Sequence, residues 1–222
     1  MKYVVALILI GIAAAGLVYI KQDRPENNSP VTGLPWQIDQ LANGDTRVFG
    51  ITLGRTTLAE AIELLGNDMN LGIIAAPGED GTLEAYFSHF ASGPITGKLM
   101  LVMDVTPAAL STMRKRAYQD RGTRRHRLHP GDLSTAYQSP VRAINFIPSY
   151  NLDADIAHAR FGTPAEIIRV NEQQQHLLYP DKGLDVILST DGREILQYLS
   201  PGEFSAHRDR INEEESTDFQ IP

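Results

Sequence analysis

Apolar positions along this chain change period three times. Tyr3 to Ile20 is an unbroken run of eighteen uncharged residues framed by Lys2 and Lys21. A helix rising roughly 1.5 Å per residue would span about 27 Å with this run, close to the roughly 30 Å hydrocarbon core of a bilayer. Tyr3 and Tyr19 stand at its two ends, where amphipathic rings settle at headgroup level. The pattern predicts a transmembrane anchor over residues 1–20, with the bilayer as partner through residues 3–20. Ala13-Ala14-Ala15 offers the competing reading, a signal-peptide processing site. The two-residue tail before the run points to a single-pass inner-membrane protein with its C-terminal part in the periplasm. The polar, Pro- and Asn-rich segment that follows predicts a linker over 21–45.

Beyond residue 45 the period shifts to that of helices, then to that of strands. Thr57 and Glu60 form a T-x-x-E capping box, and Leu58, Ala61, Ile62 and Leu65 follow on one helical stripe before Gly66 stops it. Strand-like runs come next at 71–76, 83–90 and 98–105. In the last of these Leu99, Leu101, Met103 and Val105 alternate with the residues between them, as in an antiparallel strand with one buried face. Thr106-Pro107 predicts the start of a helix running to about Gln119 and burying Leu110, Met113 and Ala117. A second helix, capped by Asn151 and burying Leu152, Ile156 and Ala159, is expected to close at Phe161-Gly162. Strands are expected at 165–170, 175–179, 184–190 and 194–199, the last two joined by a two-residue Asp191-Gly192 turn.

The fold class is therefore α+β, with two tandem helix-plus-antiparallel-sheet units sharing a core. The first unit is expected over 46–120 and the second over 141–206. A basic connector over 121–140 separates them, and an acidic flexible tail over 207–222 follows.

The segment Phe49-Gly50-Ile51-Thr52-Leu53-Gly54-Arg55-Thr56-Thr57, with Glu60-Ala61 and Leu65-Gly66 behind it, resembles the opening of SmpA/OmlA-type domains. Phe161-Gly162-Thr163-Pro164 is similar to the Gly-x-Pro element of the same family. That resemblance implies a helix-plus-sheet fold and a role in binding proteins during envelope assembly, without catalysis. Tandem copies of such a unit also resemble the secreted β-lactamase inhibitor protein, and the chain as a whole resembles a proteobacterial inner-membrane protein. Departures are the lack of a lipobox cysteine, the helical anchor, and Asn67 where the family has an x-Pro pair after the glycine.

Composition narrows the chemistry. The 222 residues include no cysteine, which excludes disulfides, thiolate metal sites and thiol nucleophiles. A net charge of −7 argues against a general nucleic-acid binder. Against that acidic background, residues 114–127 carry net +6 through Arg114, Lys115, Arg116, Arg121, Arg124, Arg125 and Arg127. The structural reading of this strip is a solvated face. The functional reading is a dock for anionic lipid headgroups, lipopolysaccharide phosphates or an acidic face of an envelope protein.

Other constellations are weaker. Gly93 to Leu99 has three residues between its glycines and Leu after Lys98, which suits a β-turn and not a phosphate loop. His126 and His129 with Asp132 are the nearest approach to a metal set in sequence, within an expected loop, while His89 and His176 read as strand residues. Asp153, Asp155, Glu84 and Asp104 carry no catalytic signature, and no nucleophile elbow surrounds Ser134. No cofactor is expected. The sequence thus favours a non-catalytic, membrane-anchored binding or scaffold module. The alternative is an enzyme or small-ligand binder using a cleft between the two units.

Overall fold

Thr57 and Glu60 close the capping box in both directions. The Thr57 side chain accepts from the Glu60 N–H, and the Glu60 carboxylate accepts from the Thr57 N–H at 2.8 Å. This computed structural model describes residues 32–76, 78–120 and 123–218, with side chains in the final helix as far as Glu213. The anchor expected over 1–20, the first part of the linker, Arg121 and the last four residues lie outside the described residues.

In chain order the elements are β1 (Asp39–Gln40), β2 (Thr46–Val48), β3 (Ile51–Thr52), α1 (Leu58–Leu65), β4 (Asn70–Ile74), β5 (Thr82–Ser92) and β6 (Ile95–Met103). There follow α2 (Pro107–Arg116), β7 (Tyr118–Gln119), β8 (Arg125–Arg127), α3 (Leu133–Gln138), β9 (Val141–Pro148) and α4 (Ala154–Phe161). The chain then forms β10 (Glu166–Arg169), β11 (Gln174–Tyr179), β12 (Leu184–Ser189), β13 (Ile195–Leu199) and α5 (Pro201–Asp218). The α+β class holds.

The segments expected as two units contribute to one ten-stranded sheet, in the order β10-β11-β12-β13-β9-β6-β5-β4-β8-β7. Every pairing in it is antiparallel. Strand β9 is the seam: Ile144 and Phe146 pair with Leu101 and Leu99 on one side and with Tyr198 and Leu196 on the other. All six are fully buried on one face. There they pack with Leu58 and Ala61 of α1, Leu110 and Met113 of α2, and Ala157 and Phe161 of α4. A bulge in β5 between Phe87 and Phe90 shifts the alternation by one residue, so that both rings stay inside. Phe49 meets Phe90, Phe146 and Tyr198 edge-on at 5.1–5.7 Å between ring centres. Gly97 crosses β9 where a Cβ would run into the Ile147 carbonyl and the Phe146 ring, so only glycine fits.

The opposite face carries a smaller apolar cluster of Val102, Ala143, Ile168, Val170, Leu178 and Leu199, covered by Phe204 and Ile211 of α5.

Several expectations need correction. The linker does not reach residue 45: Gly33 accepts from the Ser92 hydroxyl, Pro35 from the buried Tyr198 hydroxyl at 2.9 Å, and the Arg160 guanidinium lies over the Trp36 ring at 4.2 Å. Helix α2 ends at Arg116 because Ala117 is extended, and Tyr118-Gln119 pair with β8 instead. Asp153 and not Asn151 caps α4, accepting from Ile156 N–H at 2.8 Å, which turns Ala157 and Phe161 inward and leaves Ile156 over a third exposed.

The connector 121–140 is not a loop. It contains β8, a tight turn at Pro130–Asp132 and α3, whose Ala136 is fully buried. The Asp191-Gly192 pair sits in a longer connection between β12 and β13, where the Ser189 hydroxyl accepts from Gly192 N–H and donates to Asp191. Residues 207–218 are helical, because Phe204, His207 and Ile211 fall on one stripe that the sheet's second face can bury.

Candidate functional site

The described residues of the basic strip fall on α2 and the strand pair β7–β8, and much of their charge is used internally. Arg114 donates to His126 Nδ1 at 2.8 Å. Arg116 pairs with the buried Asp132, while Arg125 and Arg127 converge on Asp120 at 3.8 and 2.8 Å. Burial, and after it the Arg114 cation, push the His126 ring below the usual imidazole range, against a weaker opposing pull from Asp120. The ring is therefore a hydrogen-bond acceptor held under a guanidinium, in a strand and not in a loop. It does not converge with His129, which caps the turn by accepting from Gly131 N–H, nor with Asp132, which faces Arg116.

Some of the charge is left over. Among the described residues Lys115 and Arg124 are exposed and have no side-chain partner, and Arg116 and Arg127 keep half or more of their side-chain surface in water. Tyr118, directly opposite Arg127 in the hairpin, is 55% exposed and stacks on His129 with ring centres 6.3 Å apart. An exposed aromatic opposite a basic residue in a hairpin was not anticipated from sequence, where Tyr118 read as part of a helix.

The second constellation lies under α5. His176 on β11 and Asp185 on β12 are diagonal neighbours across a hairpin whose register sets Asp185 opposite Leu178. His207 reaches them from α5. His176 Nδ1 and His207 Nε2 both bond the same carboxylate oxygen, Asp185 Oδ2, at 2.7 and 2.8 Å. All three residues are buried, Asp185 completely, and its other oxygen has no hydrogen-bond partner among the described residues. The far nitrogen of His176, Nε2, lies 3.0 Å from the Gln174 side-chain amide. Sequence reasoning took His176 for an ordinary strand residue and placed His207 in a solvated tail. The signal available was Asp185, an acid inside an otherwise apolar strand.

Two of the concavities among the described residues could receive a small ligand. A polar groove of about 670 Å³ lies entirely within the second half, between the start of α4 and the ends of β10–β12, lined by Asp153, Arg169, Glu172, Gln174 and Glu194 among others. Asp153 is committed to capping α4. A smaller, mainly apolar hollow of about 360 Å³ is formed by Trp36, Ile95, Tyr150, Ile156, Ala159 and Arg160. No histidine lines either one. Among the described residues no helix is long and apolar enough to cross a membrane.

Comparison of the chain with protein-family models, with curated proteins and with solved structures gives no match.

Proposed function

We propose that the chain is a membrane-anchored, non-catalytic binding module of the bacterial cell envelope, and that the corner formed by α2, β7 and β8 docks on anionic lipid headgroups. The observation that carries this reading is Tyr118, over half exposed and directly opposite Arg127, in a corner whose other exposed basic residues are Lys115, Arg116 and Arg124. A tyrosine ring settles at the interface, and each basic residue close to an anionic surface adds on the order of 1 kcal/mol, falling off within a Debye length. Asp120 and Asp132 offset part of the charge, and the remainder still favours phosphate. The anchor at residues 3–20, insertion in the inner membrane with the folded body in the periplasm, and a tandem helix-and-meander descent of the SmpA/OmlA kind belong to the same proposal. Its support is an eighteen-residue apolar run and the repeated order of one helix followed by an antiparallel meander.

The test uses the absence of native cysteine. The full chain carrying Gln119→Cys, labelled with an environment-sensitive fluorophore, is placed in nanodiscs of zwitterionic lipid alone or with phosphatidylglycerol. Blue-shifted emission only with the anionic lipid, reversed in 1 M salt and absent in the Lys115→Gln/Arg124→Gln/Arg127→Gln variant, supports the reading. Emission that ignores lipid charge overturns it.

A further inference from the structure

The centre under α5 has the chemistry of a metal site. Asp185 is a fully buried carboxylate whose two neighbours on one oxygen are imidazole nitrogens, and whose other oxygen bonds nothing among the described residues. A carboxylate charge at this position is held out of water with two imidazole nitrogens as its neighbours. Such a charge is costly unless paired. A divalent cation would take the two nitrogen lone pairs and the carboxylate, and would reverse that charge. We infer that His176 Nδ1, His207 Nε2 and the Asp185 carboxylate form a binding site for a divalent transition-metal ion of the zinc class.

The geometry accommodates it. The donor atoms lie within 4.8 Å of one another, and His–Oδ2 separations of 2.7 and 2.8 Å need open only to the roughly 3.3 Å edge of a tetrahedron with bonds of about 2.0 Å. Asp185 Oδ1 is free to complete the set as a chelating carboxylate. Two imidazoles among three ligands favour zinc over magnesium or calcium, which demand oxygen. Gln174 supplies the outer partner that a ligating histidine requires. Once Nδ1 binds metal, Nε2 carries the proton, and the amide, turned about its own axis, presents its oxygen at the same 3.0 Å. Because His207 belongs to α5 and the other two ligands to the sheet, the ion would pin this helix to the second face. The inference does not depend on the lipid-docking proposal, since the ligands lie on other elements.

The experiment uses the full chain without an affinity tag, purified in detergent, stripped with chelator and titrated with Co²⁺ and then Zn²⁺. Expected are visible Co²⁺ bands that saturate at one equivalent per chain and vanish when one equivalent of Zn²⁺ is added. His207→Gln and Asp185→Asn should each abolish the bands, Gln174→Ala should weaken Zn²⁺ binding about 10- to 100-fold, and His126→Gln/His129→Gln should leave both unchanged. The wild-type titration decides even where a variant fails to fold. No saturable bands in the wild type, or bands that survive both His207→Gln and Asp185→Asn, would overturn the assignment.

Discussion

The two faces of the sheet solve the same problem with different materials. The first buries aliphatic and aromatic side chains under four helices, α1 to α4, with Phe146, Tyr198 and Leu99 fully covered. The second is covered by α5, and its centre is a carboxylate and two imidazoles within a small apolar ring. Each face also buries histidine, but of opposite surroundings: His126, opposite the core residue Ile73, meets the Arg114 cation, while His176 and His207 meet the Asp185 anion. The lesson is that the first face supplies cohesion and the second supplies a place where something charged is held.

The comparison breaks most visibly at Phe146. Phe146→Ala removes a ring packed edge-on against Phe49 and Phe90 and should cost about 3–5 kcal/mol, read by urea unfolding of the full chain in detergent through the single Trp36. A loss below 1 kcal/mol would mean that the first face is not the main source of stability. Next comes Asp185→Ala, expected to cost about 3 kcal/mol because two buried donors lose their acceptor. Replacing His176, Asp185 and His207 together by leucine sharpens the point. Stability in the same assay should return to the wild-type level or above it, while Co²⁺ binding is lost, since apolar packing substitutes well for a buried ionic cluster. Gly97→Ala, which forces a methyl group into β9, should cost about 1–3 kcal/mol by the same measurement.

Smaller still is the capping box: Thr57→Ala should cost about 1 kcal/mol, and Thr57→Ser should restore most of it. The smallest effect is a slope. His126 titrates lower in the folded chain than in the unfolded one, so its contribution is intact above about pH 6.5 and is lost as pH falls through the folded value. Subtracting the stability of His126→Gln from that of the wild type between pH 7 and 5 should leave a decline toward acid; a flat difference would refute the assigned environment.

Legibility in the sequence follows the same division. The first face was readable because its information is local: Thr57 and Glu60 are three residues apart, and the Leu99–Leu101–Met103 alternation needs no knowledge of partners. Other features depend on contacts distant in sequence. Residues 207–218 contain too few apolar side chains to announce a helix, and only the waiting second face makes Phe204 and Ile211 worth burying. His176 and Asp185 meet through hairpin register, and His207 joins them from a different element. The basic strip was visible as charge, but its pairing with Asp120 and Asp132 required the β7–β8 hairpin that a helical reading of Tyr118 had hidden.

The sheet's outer borders carry a consequence for life in a crowded compartment. An open array of ten strands invites neighbours to add an eleventh, yet its last strands are four residues long at β10 and two at β7. Glu166 and Arg169 punctuate the longer border, and Arg208 reaches across to Glu166. Neither rim gives a passing chain enough backbone to zip onto. Edge-to-edge pairing of copies through this sheet is thereby disfavoured.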